Sequence, residues 1–211
     1  MKDTIRQTMR KTYAYWWVDG MADMAMGFFF LVLAGYNYCT LTIPLSSIAR
    51  VLMAIGQPLV FLLCWFGYGR LVKWVKEHIT YRRTGYVAYQ PRKKKNRAQR
   101  AVVGAVLGIT VSLMVTYIGP ELLHLDPMVV VGCVMAAVTF YLGYWYGVKR
   151  LMAIALLEVG LGIWISTLPL EADMRSTLMM ACMGAVWIIS GVATFVVYLR
   201  KNTESEDQPH E

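Results

Sequence analysis

The chain has 211 residues, of which 57% are apolar, and its mean hydropathy is +0.46. Soluble domains contain about 45 to 50% apolar residues, so this composition excludes an ordinary water-soluble domain. The formal net charge is +8, but the basic residues lie beside apolar stretches, where anionic lipid headgroups attract each of them by about 1 kcal/mol. We therefore expect membrane lipids with anionic headgroups, and no nucleic acid, as the polyanionic partner.

Six apolar stretches are long enough to cross a hydrocarbon core of about 30 Å as helices. They predict an all-α fold, a polytopic membrane protein with six transmembrane helices in a single membrane domain over residues 1–211. The fifth stretch is among the shortest and carries Glu158 at its centre, and without it the C-terminus would lie outside. The predicted spans are Tyr15–Tyr38, Ser47–Gly69, Ala101–Ile118, Met128–Gly147, Leu151–Leu168 and Thr177–Tyr198.

Lysine and arginine are distributed unevenly between the two sides that these spans define. Nineteen of the 21 fall on one side, and only Arg50 and Arg175 fall on the other. Segments rich in Lys and Arg stay in the cytoplasm, so both termini are predicted to be cytoplasmic. Aromatic residues that favour the membrane interface gather on the same side: Trp16, Trp17, Trp65, Tyr68, Trp145, Tyr146 and Tyr198.

Two short polar segments flank the spans. In residues 1–14, Ile5, Met9 and Tyr13 recur every four residues among Lys and Arg, which is typical of an amphipathic helix on the inner leaflet. A plain N-terminal extension of the first span is the alternative. Residues 201–211 form a polar C-terminal tail.

Proline and glycine recur with a spacing that predicts three helical hairpins. A proline follows the first helix of each pair, and a glycine comes 22 or 23 residues later in the second helix. Small residues are expected where membrane helices touch, within one chain or between the subunits of an oligomer. The repeat positions are Pro44, Pro120 and Pro169, followed by Gly67, Gly143 and Gly191, and further small residues are Gly104, Gly108, Gly147, Gly184 and Ser190.

Two segments resemble known bacterial membrane proteins. The stretch from Ala153 to Arg200, with LEVGLGIW and GAVWIISGVATFVVYLR, resembles the hairpin repeat of acid-resistance-type membrane proteins. The segment ITYRRTGYVAY at Ile79 to Tyr89 is similar to a segment of uncharacterised bacterial multipass proteins, where a proline often stands at the position of Arg82. The first resemblance implies six helices without enzymatic chemistry, and both imply a bacterial cytoplasmic (inner) membrane. Neither brings an assigned active site, so no functional residue is carried over.

Three carboxylates lie within predicted spans, where a charge costs about 2.5 to 3.5 kcal/mol on insertion scales and is therefore a functional hypothesis. Glu158 is predicted near the midplane, where desolvation favours the neutral form. It is either a protonatable site or a side chain that joins helices by a hydrogen bond. The partners considered for such a bond are Gln57, Ser112, Thr139 and Ser190.

Asp19 and Asp23 are spaced four residues apart and are predicted to share a helix face near the inner interface. One interpretation is a structural ion pair with a basic residue at a neighbouring helix end. The other is an entrance for a cation or a proton. The basic residues considered as partners are Arg70, Arg150 and Arg200.

Residues 70–100 form the largest hydrophilic segment, a basic cytoplasmic loop that begins as an amphipathic continuation of the second span and ends in a polybasic run. It is interpreted either as a retention signal bound to anionic lipid or as a docking site for a protein partner, since its three tyrosines suit an interface. The predicted lipid- or partner-binding residues are Arg82, Arg83, Arg92, Lys93, Lys94, Lys95, Arg97 and Arg100.

Catalytic and cofactor motifs are absent from the sequence: it has no Gly-rich phosphate loop, no zinc-site spacing and no HExxH. The four cysteines show no paired spacing and are predicted to be buried free thiols. We expect no enzyme activity, no metal and no cofactor. The leading hypothesis is a membrane-embedded accessory or structural component that docks a partner or anionic lipid through the basic loop. The alternative is a small proton- or cation-coupled transporter that uses Asp19, Asp23 and Glu158.

Overall fold

The computed structural model describes residues 17–44, 46–75, 113 and 124–201, and this part of the chain contains helices and no strands. The prediction of an all-α fold is confirmed for these residues. The helices are α1 (Met21–Thr42), α2 (Ser47–Val75), α3 (Pro127–Tyr146), α4 (Lys149–Ser166) and α5 (Ala172–Lys201).

Four of these helices are long and apolar enough to cross a membrane, namely α1, α2 over Val51–Trp74, α3 and α5. Helix α4 has 18 residues and carries three charged side chains, those of Lys149, Arg150 and Glu158, so it is too polar to be counted with these four. The predicted span Ala101–Ile118, apart from Leu113, lies outside the described residues, as do residues 1–14 and 202–211. The described helices are therefore compatible with a membrane protein.

Helix α1 begins later than the sequence pattern suggests. A continuous helix from Tyr15 is wrong, because residues 17–20 form a turn in which Gly20 adopts a left-handed conformation with φ of 71°. The backbone N–H of Met21 donates a hydrogen bond to Oδ1 of Asp19 at 3.2 Å, which satisfies one of the free donors at the helix start. Asp19 thus precedes the helix, and it does not share a helix face with Asp23.

Helix α3 has clear start and stop signals. The Asp126 carboxylate accepts a hydrogen bond from the backbone N–H of Met128 at 2.8 Å, and Pro127 occupies the first helical position. Gly147 ends the helix in a left-handed conformation with φ of 71°. The sequence placed this helix within one residue at each end.

Helices α1 and α5 run antiparallel with their backbones in close contact. A Cβ atom on Gly27 would lie 2.6 Å from the carbonyl oxygen of Gly184, and one on Gly191 would lie 2.7 Å from the backbone nitrogen of Met24. Such approach requires glycine, because a Cβ atom at these positions would overlap the backbone of the facing helix.

Helices α3 and α4 form a second antiparallel pair with the same kind of contact. A Cβ atom on Gly132 would lie 2.8 Å from the carbonyl oxygen of Glu158, and one on Gly162 would lie 2.7 Å from that of Met128. Helix α1 also packs on α2, and α4 packs on α5, so neighbours in sequence do touch. The most extensive packing, however, joins α1 with α5 and α3 with α4.

The glycines of the proposed repeat have different surroundings. A Cβ atom on Gly143 would lie 3.1 Å from Leu151 Cβ, and Gly191 faces Met24, but a Cβ atom on Gly67 would meet none of the described residues within 4 Å. Gly147, predicted as a packing residue, caps α3 and likewise meets nothing within 4 Å. The spacing is therefore regular while the environments are not.

The described basic residues are distributed unevenly between the two ends of the bundle. Trp17 contacts the Tyr146 ring at the end of α3, with centroids 6.3 Å apart, and the Tyr68 hydroxyl near the end of α2 donates to the Ala22 carbonyl at 3.3 Å. We call this end of the bundle the basic end. Its helix termini carry Arg70, Lys73, Lys149, Arg150, Arg200 and Lys201, while those of the opposite end carry Arg50 and Arg175.

The cysteines are free thiols, but the expectation that they are buried is wrong. Cys39 and Cys133 are exposed, and Cys64 and Cys182 are partly exposed.

Candidate functional site: a buried polar cluster

Asp23 forms an ion pair with Arg150 inside the bundle, near the basic end. The Arg150 Nε atom lies 2.8 Å from Oδ2 of Asp23, whose side chain is fully buried, while the Arg150 side chain is 25% exposed. Arg150 Nη2 also donates a hydrogen bond to the backbone carbonyl of Trp17. Arg150 therefore links the start of α4 to the turn that precedes α1 and to the first turn of α1.

Asp19 lies in the same region, with 2% of its surface exposed. It sits in the turn where Gly20 packs on Gly191 of α5, so the start of α1 is held against the C-terminal half of α5. Asp19 and Asp23 are therefore both buried, four residues apart in the chain, and Asp23 pairs with Arg150. A buried carboxylate needs such partners, because removing a charge from water costs several kcal/mol.

Glu158 occupies the junction of α3, α4 and α5 and is fully buried. The indole Nε1 of Trp187 donates a hydrogen bond to Oε1 of Glu158 at 3.0 Å. The buried Thr139 hydroxyl on α3 is a further polar group beside this carboxyl. Among the described residues, no donor meets the second oxygen, Oε2, with hydrogen-bond geometry.

The two acidic sites are connected through tryptophan. The rings of Trp17 and Trp187 lie with centroids 6.3 Å apart, and both pack with Ala22, Leu151 and Ile154 in one apolar core. Contacts therefore run from the Asp23–Arg150 pair through Trp17 and Trp187 to Glu158. We call these residues the buried polar cluster: Asp19, Asp23, Arg150, Glu158, Trp17 and Trp187.

The cluster combines an ion pair with the carboxyl of Glu158, whose Oε2 atom meets no donor with hydrogen-bond geometry among the described residues. Its ion pair and its indole hydrogen bond each join different helices, so it can hold three helices in register. In the described part of the chain, no group of three or more His, Cys, Asp or Glu side chains is arranged to hold a metal ion.

A second ion pair lies at the opposite end of the bundle. Nη1 of Arg175 donates to Oδ2 of Asp126 at 2.6 Å and links the start of α5 to the start of α3. Both side chains are partly exposed, at 20% and 28%. The sequence interpretation placed Arg175 outside the spans and missed this pair. The available signal was that Asp126 directly precedes a helix and Arg175 lies in the first turn of another.

The structure selects among the partners that the sequence left open. Of the three arginines considered for the aspartates, Arg150 pairs with Asp23. Of the four polar residues considered for Glu158, Thr139 lies beside it, whereas Gln57 donates its amide to Asn37 instead, at 3.4 Å. Trp187 was missed, although a tryptophan in the middle of an apolar helix needs a partner for its N–H and so was a signal.

All eight predicted binding residues of the basic loop, from Arg82 to Arg100, lie outside the described residues. Of the segment 70–100, the structure describes residues 70–75, which continue α2 as a helix.

The fold and the cluster define a class: an apolar helical bundle, compatible with a membrane, that encloses a small polar cluster. Comparison with known proteins adds no family to this description, since no protein-family model, no curated protein and no solved structure matches the chain. The resemblances in Ala153–Arg200 and Ile79–Tyr89 rest on the sequence patterns alone.

Proposed function

We propose that this chain is a non-catalytic integral membrane protein, an accessory or structural component that docks a partner protein or anionic lipid through its basic loop. The observation that carries the proposal is that its buried acids are built into helix contacts. Asp23 is engaged by Arg150 and Glu158 by Trp187, and both carboxylates are fully buried. A transport pathway instead needs acids that face a water-filled cavity.

The proposal includes six membrane-spanning helices arranged as three hairpins. Support comes from the helix directions, since α2 ends at the basic end and α3 begins at the opposite end. The chain between them has to return along the length of the bundle, and Ala101–Ile118 is the apolar stretch available for this crossing. Helix α4 is the fifth span: its 18 residues correspond to about 27 Å, and two of its three charges lie at its first residues.

The proposed location is the bacterial cytoplasmic (inner) membrane, with both termini in the cytoplasm. The uneven distribution of basic residues between the two ends of the bundle supports this orientation. In the same orientation, the basic loop that follows α2 faces the cytoplasm. There it can meet anionic lipid, a protein partner or a second copy of the chain.

The docking proposal is tested with the full chain in nanodiscs of neutral lipid, which are floated with vesicles of phosphatidylcholine alone or with phosphatidylglycerol. We expect flotation with the anionic vesicles only, and a loss of at least about tenfold in R92Q/K93Q/K94Q/K95Q, because each basic residue near the surface contributes about 1 kcal/mol. The matched control removes four charges from the N-terminal segment, as K2Q/R6Q/R10Q/K11Q. Equal losses in the two variants would contradict a specific role for the loop.

A small proton-coupled transporter is the second candidate, and the carboxyl of Glu158 is the observation that favours it. Its Oε2 atom is buried without a hydrogen-bond donor among the described residues, as expected for a site that takes up and releases a proton. The two candidates are separated by proton flux in liposomes that contain this chain alone. We expect no flux above that of empty liposomes.

Two substitutions of Glu158 separate its two possible roles. Replacement by Gln keeps an acceptor for the Trp187 indole, whereas replacement by Leu leaves the buried N–H unpaired, which costs about 1 to 3 kcal/mol. If the residue only joins helices, E158Q should retain thermal stability and E158L should lose it. A pH-dependent flux that E158Q abolishes without loss of stability would instead establish the transporter.

A further inference from the structure

An open groove of about 510 Å³ lies between α1 and α2. Its volume falls within the range of about 300 to 1,000 Å³ that is usual for small-molecule sites. Aromatic and aliphatic side chains form its walls, among them Phe28 and Phe29 from α1 and Cys64 from α2. Packing of Phe29 on Phe61, with ring centroids 5.3 Å apart, holds the two helices at this separation.

Of the described residues that line this groove, one has a charged side chain. Arg70 is exposed and lies at the basic end, two residues after Tyr68, whose hydroxyl donates to the Ala22 carbonyl of α1. Trp74 also lines the groove and is 58% exposed, as suits an aromatic ring at the level of lipid headgroups. The groove is therefore apolar along its walls and cationic at one end.

We propose that this groove binds one anionic phospholipid of the inner leaflet, with an acyl chain along Phe28 and Phe29 and the phosphate at Arg70. A guanidinium group binds phosphate through two parallel hydrogen bonds, which an ammonium group does not offer. The apolar walls require a hydrocarbon chain, and the cationic end requires an anionic headgroup, so a phospholipid satisfies both and inorganic phosphate satisfies one. The inference rests on the membrane placement in the proposed function but not on the polybasic run of the loop, since Arg70 and Trp74 belong to the first residues of segment 70–100, which continue α2 as a helix.

Two pairs of variants test this site in the full chain. R70Q removes the headgroup contact, and K73Q removes a charge from the next turn of α2, outside the groove lining. G67L fills the groove, and G69L is its control, because a Cβ atom at either glycine meets nothing within 4 Å but only Gly67 lines the groove. The protein is reconstituted in phosphatidylcholine with a minor fraction of phosphatidylglycerol, and the retained lipid is counted by native mass spectrometry.

We expect one phosphatidylglycerol molecule to be retained by the wild type, K73Q and G69L, and its occupancy to fall at least about tenfold in R70Q and G67L, since a charge-assisted contact is lost or the chain is excluded. Excess inorganic phosphate should not displace it. Equal retention in all variants, an equal loss in all four, or displacement by phosphate would overturn the proposal. The fourfold loop variant distinguishes the two sites: it should keep this lipid even if docking through the loop fails.

Discussion

At the scale of single residues, burial separates the two described ion pairs of the bundle. Asp23 is fully buried beside Arg150, whereas Asp126 and Arg175 remain partly exposed at the opposite end. An exposed pair is screened by solvent and contributes about 0 to 1 kcal/mol. A buried pair leaves an uncompensated charge in the interior when one partner is removed.

Asp23→Asn should therefore destabilise the protein strongly. Loss of one partner of a buried pair costs about 3 to 5 kcal/mol, and because Arg150 is partly exposed we expect a value near the lower limit. Asp126→Asn is the control and should cost about 1 kcal/mol or less. Thermal unfolding of the purified protein in detergent measures both, and adding Arg150→Gln to Asp23→Asn should recover part of the loss. Equal effects of the two single substitutions would show that the Asp23 pair is not buried as described.

The sequence predicted the acids of the cluster better than their partners. A carboxylate within an apolar stretch is conspicuous because of its insertion cost, so Asp19, Asp23 and Glu158 stood out before the fold was known. Their partners come from other helices: Arg150 is 127 residues from Asp23, and Trp187, on the next helix of the chain, is 29 residues from Glu158. These partners could be identified only from the way the helices pack.

At the scale of helices, glycine marks where two backbones meet. Gly27 lies against the Gly184 carbonyl, while Gly35 in the same helix faces open space. The sequence pattern flagged Gly184 and Gly191 but not Gly20 and Gly27, which form the other half of the contact. The spacing of small residues in a sequence indicates that a helix can pack closely on another. Only the structure shows which helix it packs against.

Gly27→Ala should weaken the α1–α5 contact. The added Cβ atom would lie 2.6 Å from a backbone oxygen that cannot rotate away, so we expect a loss of about 1 to 3 kcal/mol from overpacking. Gly35→Ala in the same helix has nothing within 4 Å of its Cβ and should be neutral or stabilising by about 0.5 to 1 kcal/mol, because alanine favours the helix. Thermal unfolding of both variants gives the comparison. A loss with Gly35→Ala as large as with Gly27→Ala would argue against this helix contact.

At the scale of the whole molecule, the direction of each helix determines which charges share a side. At the basic end, the N-terminus of α4 and the C-termini of α2, α3 and α5 lie next to the start of α1. Charge distribution in the sequence and helix direction in the structure thus agree on which segments share a side. They are independent observations, since one depends on composition and the other on packing.

Cysteine labelling tests this arrangement across the membrane. In a background with all four native cysteines replaced by alanine, Lys94→Cys should react with an impermeant maleimide in inverted vesicles only, and Leu170→Cys in intact cells only. Leu170 is 41% exposed in the connection between α4 and α5, at the opposite end from the basic residues. Reaction of both cysteines from the same side would contradict the proposed spans, and the reverse pattern would contradict the proposed orientation.

The sequence by itself determined the all-helical character of the described part and the positions of five helices to within a few residues, except at the start of α1, the end of α2 and the start of α5. These properties follow from local composition, because twenty apolar residues and their flanking charges lie next to each other in the chain. Tertiary structure alone decided that α1 packs on α5 and α3 on α4, and that Arg150 and Trp187 engage the buried acids. Those choices depend on the fit of glycine surfaces and the pairing of charges across distant helices, which no local pattern contains.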